Sequence, residues 1–170
     1  MPTASETVVL AVTLVAASVA VATDLRWRRI PNALTLATAT LGMALAAFGT
    51  SDLTPASALG GCLAGLLLML PGHLVGGTGA GDVKLMAALG CVLGPQRILV
   101  AFLYSAIAGG ILAVFVAVRR RRLGQTIRSA SRLVVQPGET RRVIADEAAG
   151  NRFPYGPAIA AGSVLAALGL

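Results

Sequence analysis

Six apolar stretches dominate this chain, and their lengths restrict its possible folds more than any other feature. They cover residues 7–23, 33–48, 56–75, 83–94, 98–118 and 154–170. A helix needs roughly 20 apolar residues to cross a hydrocarbon core about 30 Å thick, and most of these stretches approach that length. A hydrophobic content of 56% and a mean hydropathy of +0.80 exclude an ordinary soluble domain. The sequence therefore predicts an all-α polytopic membrane protein with about six transmembrane helices.

The basic residues indicate how these helices are oriented, because short cytoplasmic loops carry an excess of Lys and Arg. If all six stretches cross, all of the 14 basic residues except Arg97 face one side. If residues 83–94 did not cross, the segments "RWRR" and "RRRR" would lie on opposite faces. We therefore expect six crossings, cytoplasmic basic loops and both termini outside. The short stretch 83–94 is either a crossing helix that begins inside a cavity or a re-entrant segment.

The hydrophilic segments, the net charge and the cysteines indicate the domain organisation and the expected partners. We expect one membrane-embedded domain, residues 1–170, with a hydrophilic cytoplasmic loop at about 119–152. The net charge of +7 is explained by topology, and no nucleic-acid partner is expected because the arginines flank membrane helices. Cys62 and Cys91 lie in separate apolar stretches, and the sequence has no His/Cys cluster. We therefore predict neither a metal site nor a cofactor.

Two of the seven acidic residues lie at the predicted cytoplasmic boundary of the membrane. Asp24 directly follows the first apolar stretch, and Asp82 directly precedes the fourth. An ionisable residue at membrane depth is costly, so it indicates a functional site, and each aspartate is the other's candidate partner. Two adjacent carboxylates share a proton and supply one acid and one base at the same pH. This pair of groups is suited to splitting an amide with water.

A glycine-rich segment precedes the second of these aspartates. The sequence "GGTGAGD" places four glycines in the six residues before Asp82. Glycine lets another chain approach closely and permits a positive φ, so Gly79 and Gly81 are candidates for binding an extended substrate backbone. Alternatively, the segment is a flexible turn and Asp82 is the N-cap of the next helix, for which Asp is a preferred residue. Spacing alone leaves both interpretations open.

Two further polar residues near this turn also have two interpretations each. Lys84 either favours the charged form of Asp82 by proximity or extends to the lipid headgroups. His73 either orients the glycine turn or is an ordinary structural hydrogen-bonding residue.

Three segments together resemble the type IV prepilin peptidases, the GxGD-type aspartic endopeptidases of the inner membrane. "GTGAGDVKL" is similar to the signature of that family, and Asp24 followed six residues later by "IPN" is similar to its other aspartate motif. "FPYGPAIAAG" is similar to the start of its last helix. The resemblance implies a GxGD protease architecture in which Asp24 and Asp82 are catalytic and Gly79 and Gly81 are the signature glycines.

The resemblance also implies a substrate and a location. The expected partner is a prepilin-like precursor whose basic leader is removed at the cytoplasmic face and whose apolar helix lies in the bilayer. Full-length members carry a cytoplasmic domain with two CxxC pairs and also methylate the new N-terminus. This chain has no CxxC pair. It is therefore more similar to the short members that serve Tad/Flp-type pili or archaeal-type preflagellin processing.

Two other classes of function remain open at this point. In a small transporter or proton-coupled channel, the aspartates would be proton relays. In a non-enzymatic pilus assembly factor, small residues such as those of "GCLAG" would serve helix packing. The sequence predicts no oligomeric state.

Overall fold

The computed structural model describes residues 3–75, 77–119 and 155–169, and the regular structure in these ranges is helical. The predicted all-α fold class is therefore confirmed. The predicted cytoplasmic loop lies outside the described residues except at Arg119. The helices in chain order are α1 (Ala4–Trp27), α2 (Asn32–Ala47), α3 (Pro55–Leu74), α4 (Ala80–Arg119) and α5 (Gly156–Ala167).

Helix α4 is broken at Gly94. This residue has φ 78° and ψ 174°, a backbone region that is essentially restricted to glycine. Pro95 follows and has no N–H to donate to the preceding turn. We call the segment before Gly94 α4a and the segment after it α4b. They correspond to the predicted apolar stretches 83–94 and 98–118.

Close glycine contacts give the relative directions of the helices. Gly61 of α3 abuts Gly90 of α4a, and Gly65 lies against Met86, so α3 and α4a run antiparallel. Gly162 of α5 lies against Ser105 of α4b, whereas Tyr155 reaches the later Gly109, so α5 and α4b are also antiparallel.

The position of Tyr155 also shows that α4b runs back along α4a. Tyr155 lies within electrostatic range of Asp82, at the start of α4a, and its ring contacts Gly109, far along α4b. The chain therefore reverses direction at Gly94.

Segment α4a forms the centre of the bundle. Nearly all of its side chains are buried, including Leu85, Met86 and Leu89, which have no exposed surface. The outer helices instead expose large apolar side chains, among them Leu36, Leu63, Leu67, Leu103 and Ile107. A buried apolar centre with an apolar exterior is typical of a bundle that is surrounded by lipid. The chain is an integral membrane protein.

Length and composition identify three candidate spans, Ala4–Trp27, Pro55–Leu74 and Ala80–Leu112, together with the shorter apolar helices α2 and α5. The third candidate contains the reversal at Gly94, so it is not a single crossing. With this break, the described helical segments alternate in direction, as six crossings require. The span count itself stays a prediction.

The bundle has two distinct ends. One end contains Asp24, Asp82 and Tyr155, and we call it the aspartate end. The other contains Glu6, Asp52, Gly94 and Arg97, and we call it the Gly94 end.

Candidate active site

The structure places Asp24 and Asp82 in helices rather than beside them. Asp24 lies in the last turn of α1, which continues to Trp27, and Asp82 lies in the first turn of α4. The predicted boundaries were wrong by a few residues because the polar residues after Thr23 and before Val83 still have helical backbone geometry. Both aspartates therefore belong to rigid elements.

Asp82 is held by the turn that precedes its helix. Its Oδ2 accepts a hydrogen bond from the Gly79 N–H at 3.1 Å, and the Gly79 carbonyl accepts one from the Asp82 N–H at 3.1 Å. Asp82 is therefore the third residue of the helix and not its N-cap. It forms the back-reaching half of a capping box, and a carboxylate at this end of a helix is favourably placed in the helix dipole.

Asp24 is held from a distant part of the chain. Its Oδ2 accepts a hydrogen bond from the Gly156 N–H at 2.9 Å, and this buried contact joins the last turn of α1 to the first residue of α5. The donor is one of the N–H groups that a helix leaves unpaired at its N-terminus. The start of α5 therefore compensates a carboxylate that lies at the carbonyl end of its own helix.

The two carboxylates are neighbours in a buried environment. Each lies within electrostatic range of the other. Asp24 is 7% exposed and Asp82 is 8% exposed. Within the described ranges, neither carboxylate forms an ion pair with a Lys, Arg or His side chain. The structure thus places these two acidic residues at the same end of the bundle, where two full negative charges would be costly.

Tyr155 lies beside this pair, directly before α5. The Tyr155 phenol lies within electrostatic range of Asp82. The phenol donates a hydrogen bond to the Ser105 carbonyl at 3.4 Å, and its ring covers Gly109. Tyr155 thereby fixes the start of α5 against α4b.

The loop between α1 and α2 packs against the start of α4. A Cβ on Gly81 would lie 3.2 Å from the Ile30 Cβ, a tight contact, so glycine favours this close approach. Two residues after Ile30 and three residues after Gly81, the Lys84 Nζ donates to the Asn32 Oδ1 at 2.9 Å. Lys84 therefore contacts the "IPN" segment. Whether Gly79 and Gly81 also bind substrate stays a prediction.

His73 stabilises the glycine turn from the end of α3. Its Nδ1 lies 3.0 Å from the Thr78 carbonyl, which can only accept, so Nδ1 is the donor. The Gly72 carbonyl in turn accepts from the Gly77 N–H at 2.9 Å. These contacts fit the interpretation that His73 orients the turn.

A cavity of about 300 Å³ lies at the opposite end of the bundle. Its lining includes Glu6, Asp52 and Arg97, and the carboxylate of Glu6 is 3.6 Å from the guanidinium of Arg97. Glu6 therefore faces a cation, whereas neither Asp24 nor Asp82 forms an ion pair with a cation among the described residues.

The described residues contain no group of three or more His, Cys, Asp or Glu that could hold a metal ion. Cys62 and Cys91 are both free thiols.

The sequence interpretation missed the supporting residues of the site. Gly156 and Tyr155 lie more than 130 positions from Asp24, and Gly109 is one of two adjacent glycines. The available signal was "YGPA", in which a proline directly after a glycine marks a helix N-terminus that can present a free N–H.

Comparisons with known proteins agree with this geometry. The model of the type IV leader peptidase family matches residues 9–114, which include both aspartates and the glycine turn. A relative described as a prepilin leader peptidase/N-methyltransferase, from Bacillus subtilis (strain 168), is 31% identical over 147 residues. The match covers 86% of this chain and 49% of that protein, so the chain spans about half the length of the curated relative. No solved structure matches the chain.

Proposed function

The chain belongs to the type IV leader peptidase family, and from that premise we propose that it is a membrane aspartic endopeptidase. Its substrates are prepilin-like precursors, from which it removes the basic leader at the cytoplasmic face of the inner membrane. The observation that carries the proposal is that two buried carboxylates, Asp24 and Asp82, lie within electrostatic range of each other with no cation partner among the described residues.

The chemistry follows from a proton shared by the two carboxylates. The ionised member takes a proton from water, and the oxygen of that water attacks the carbonyl carbon of the scissile bond. The protonated member donates a hydrogen bond to the carbonyl oxygen, and a proton then passes to the leaving nitrogen as the C–N bond breaks. The Oδ2 of each aspartate accepts a hydrogen bond from a backbone N–H, and no described cation lies in an ion pair with either carboxylate that would favour ionisation of both.

The length of α4a supports a site below the membrane surface. Residues 80–93 span roughly 20 Å at about 1.5 Å per residue, which is shorter than a hydrocarbon core of about 30 Å. If Gly94 lies at the outer boundary, Asp82 lies about 10 Å inside the inner one. A precursor with an apolar helix in the bilayer and a basic leader at the surface delivers its scissile bond to that depth.

The glycine turn is the proposed receiving surface for the unwound substrate segment. Gly79 is exposed, so its backbone is open to an extended peptide. A carbonyl inside a helix is already hydrogen-bonded, so the substrate must unwind before attack, and glycines let the two backbones approach.

The test is cleavage of a leader-bearing precursor that is co-expressed with the enzyme. We expect processing by the wild type and losses of about 10²–10⁴-fold in Asp24→Asn and in Asp82→Asn, because each removes one proton-transfer group. Asp52→Asn is the matched control, since Asp52 is an acidic residue at the Gly94 end. It should process at the wild-type rate. Rates are compared for equal amounts of membrane-inserted protein.

Other outcomes identify the alternatives. Cleavage at a near wild-type rate by Asp24→Asn or by Asp82→Asn would contradict the proposed aspartate dyad. Absence of cleavage by the wild type, combined with proton flux that depends on the same aspartates, would favour a proton-coupled channel. Absence of both activities, with pilus formation still dependent on the chain, would favour an assembly factor.

A further inference from the structure

The two aspartates differ in how their carboxylates are held. The donor to Asp82, the Gly79 N–H, is three residues away in the same turn. The donor to Asp24, the Gly156 N–H, is 132 residues away. The helix that carries Asp24 cannot replace this donor, because the end of α1 presents carbonyl groups rather than free N–H groups. The position of Asp24 therefore depends on the position of α5.

The contact between α5 and Asp24 leaves no free space. A Cβ built on Gly156 would lie 2.6 Å from the Asp24 Oδ2 and 3.0 Å from its Cβ. Any side chain at position 156 would therefore displace the carboxylate or the helix. Gly156 is also fully buried, so the contact is shielded from water.

The start of α5 is in turn fixed by Tyr155 and α4b. The hydroxyl, Cζ and Cε2 of Tyr155 occupy the space where a Cβ on Gly109 would lie. A Cβ built on the adjacent Gly110 would have no neighbouring atom within 4 Å. A single chain of contacts thus runs from Gly109 through Tyr155 and Gly156 to Asp24.

We propose that Gly109, Tyr155 and Gly156 are positioning residues that set the location of the Asp24 carboxylate through this chain of contacts. The inference rests on the proposed peptidase function. Because none of the three acts on the scissile bond, a displacement of Asp24 should slow the chemical step and leave substrate binding largely intact. A misplacement of about 1 Å can reduce a rate by about 10²-fold.

The test compares adjacent glycines. Gly109→Ala forces Tyr155 away from α4b, whereas Gly110→Ala adds the same methyl group to the same helix in open space. We expect Gly109→Ala to lower kcat by at least about tenfold with KM unchanged, and Gly110→Ala to match the wild type. Purified enzyme in lipid vesicles and a prepilin-like peptide give both constants.

A second pair of variants removes volume instead of adding it. Tyr155→Ala should lower kcat at constant KM, because α5 loses its contact with α4b. Tyr104→Ala, at the other tyrosine of the chain, is its control and should keep the wild-type kcat. If Gly109→Ala does not accumulate in the membrane, the comparison of Tyr155→Ala with Tyr104→Ala still tests the positioning role.

The possible results separate the two proposals. Equal kcat values in Gly109→Ala and Gly110→Ala, or an unchanged kcat in Tyr155→Ala, would overturn the positioning role even if Asp24→Asn is inactive. A raised KM with unchanged kcat would also overturn it and would indicate substrate contact instead. An inactive wild type would contradict the peptidase function itself.

Discussion

The two ends of the helix bundle each contain two acidic residues, but they differ in how those charges are accommodated. At the Gly94 end, Glu6 lies 3.6 Å from Arg97, and Asp52 accepts a hydrogen bond from the Ser5 hydroxyl at 2.7 Å. The side chains of the Glu6–Arg97 pair are 40% and 38% exposed. At the aspartate end, both carboxylates are buried and bind only backbone N–H groups among the described residues.

This difference separates a structural role from a chemical one. Exposed ion pairs cost little and contribute about 0–1 kcal/mol to stability. A buried pair of carboxylates with no cation partner among the described residues is expensive, and our proposal explains its persistence by a shared proton that takes part in hydrolysis. We infer that the Gly94 end stabilises the fold and that the aspartate end performs the reaction.

The first prediction is that the two ends lie on opposite sides of the membrane. In a background with Cys62→Ala and Cys91→Ala, cysteines at Thr50 and Gln96 should react with an impermeant thiol reagent in intact cells. Cysteines at Arg29 and Gly77 should react only after permeabilisation. All four positions are exposed, whereas Ser51 is buried and would give an ambiguous result. Labelling of position 77 from outside would contradict the placement of the aspartate end and the Gly94 end on opposite sides of the membrane.

The second prediction concerns the glycines of the aspartate end. Gly79→Val and Gly81→Val should each reduce cleavage by about 10²-fold, because they displace Asp82 or Ile30 and obstruct the proposed substrate surface. Gly81→Ala should be milder, since a single methyl at 3.2 Å from the Ile30 Cβ requires a shift of only a few tenths of an ångström. Rates are measured for equal amounts of inserted enzyme. Wild-type rates in both valine variants would show that the turn is only a connector.

The third prediction concerns Gly94, at the end of the bundle opposite the aspartates. Gly94→Ala should destabilise the protein by about 1–3 kcal/mol, because alanine is strained at φ 78° and its Cβ would lie 2.7 Å from the Leu53 side chain. The cleavage rate of each correctly folded molecule should be unchanged. Thermal unfolding in detergent measures the first effect, with Gly60→Ala as the control in open space. A lower turnover without a loss of stability would connect the Gly94 end to the chemistry.

The smallest effect is expected for the ion pair at the Gly94 end. Arg97→Gln should change stability by about 0–1 kcal/mol, as is usual for a half-exposed pair, and should not alter cleavage. A loss of activity comparable to that of Asp24→Asn would show that both ends take part in the reaction.

The sequence predicted the chemical groups of the site better than their surroundings. Asp24 and Asp82 could be identified because each carboxylate directly adjoins an apolar stretch, and the break at Gly94 was visible as the gap between two such stretches. The helices extend a few residues beyond the apolar stretches, so the aspartates lie in the terminal turns, because hydropathy marks the limits of apolar composition and not those of helical hydrogen bonding.

The supporting contacts could not be predicted from a single sequence. The hydrogen bond between Gly156 and Asp24 depends on how α1 and α5 pack, and no local pattern encodes that packing. Gly109 and Gly110 are equivalent in the sequence, yet only Gly109 faces Tyr155. The substrate role of Gly79 and Gly81 stays a prediction, since the structure explains both glycines by contacts within the chain itself.

The central claim, that Asp24 and Asp82 act as one acid and one base, is tested most directly by the pH dependence of kcat/KM for the wild-type enzyme. The account predicts a bell-shaped profile: the rate falls in acid, where the base becomes protonated, and falls again at higher pH, where the acid loses its proton. The descending limb should persist in Tyr155→Phe, because the phenol is also a titratable group beside Asp82. A rate that rises to a plateau with no descending limb would contradict the shared-proton mechanism.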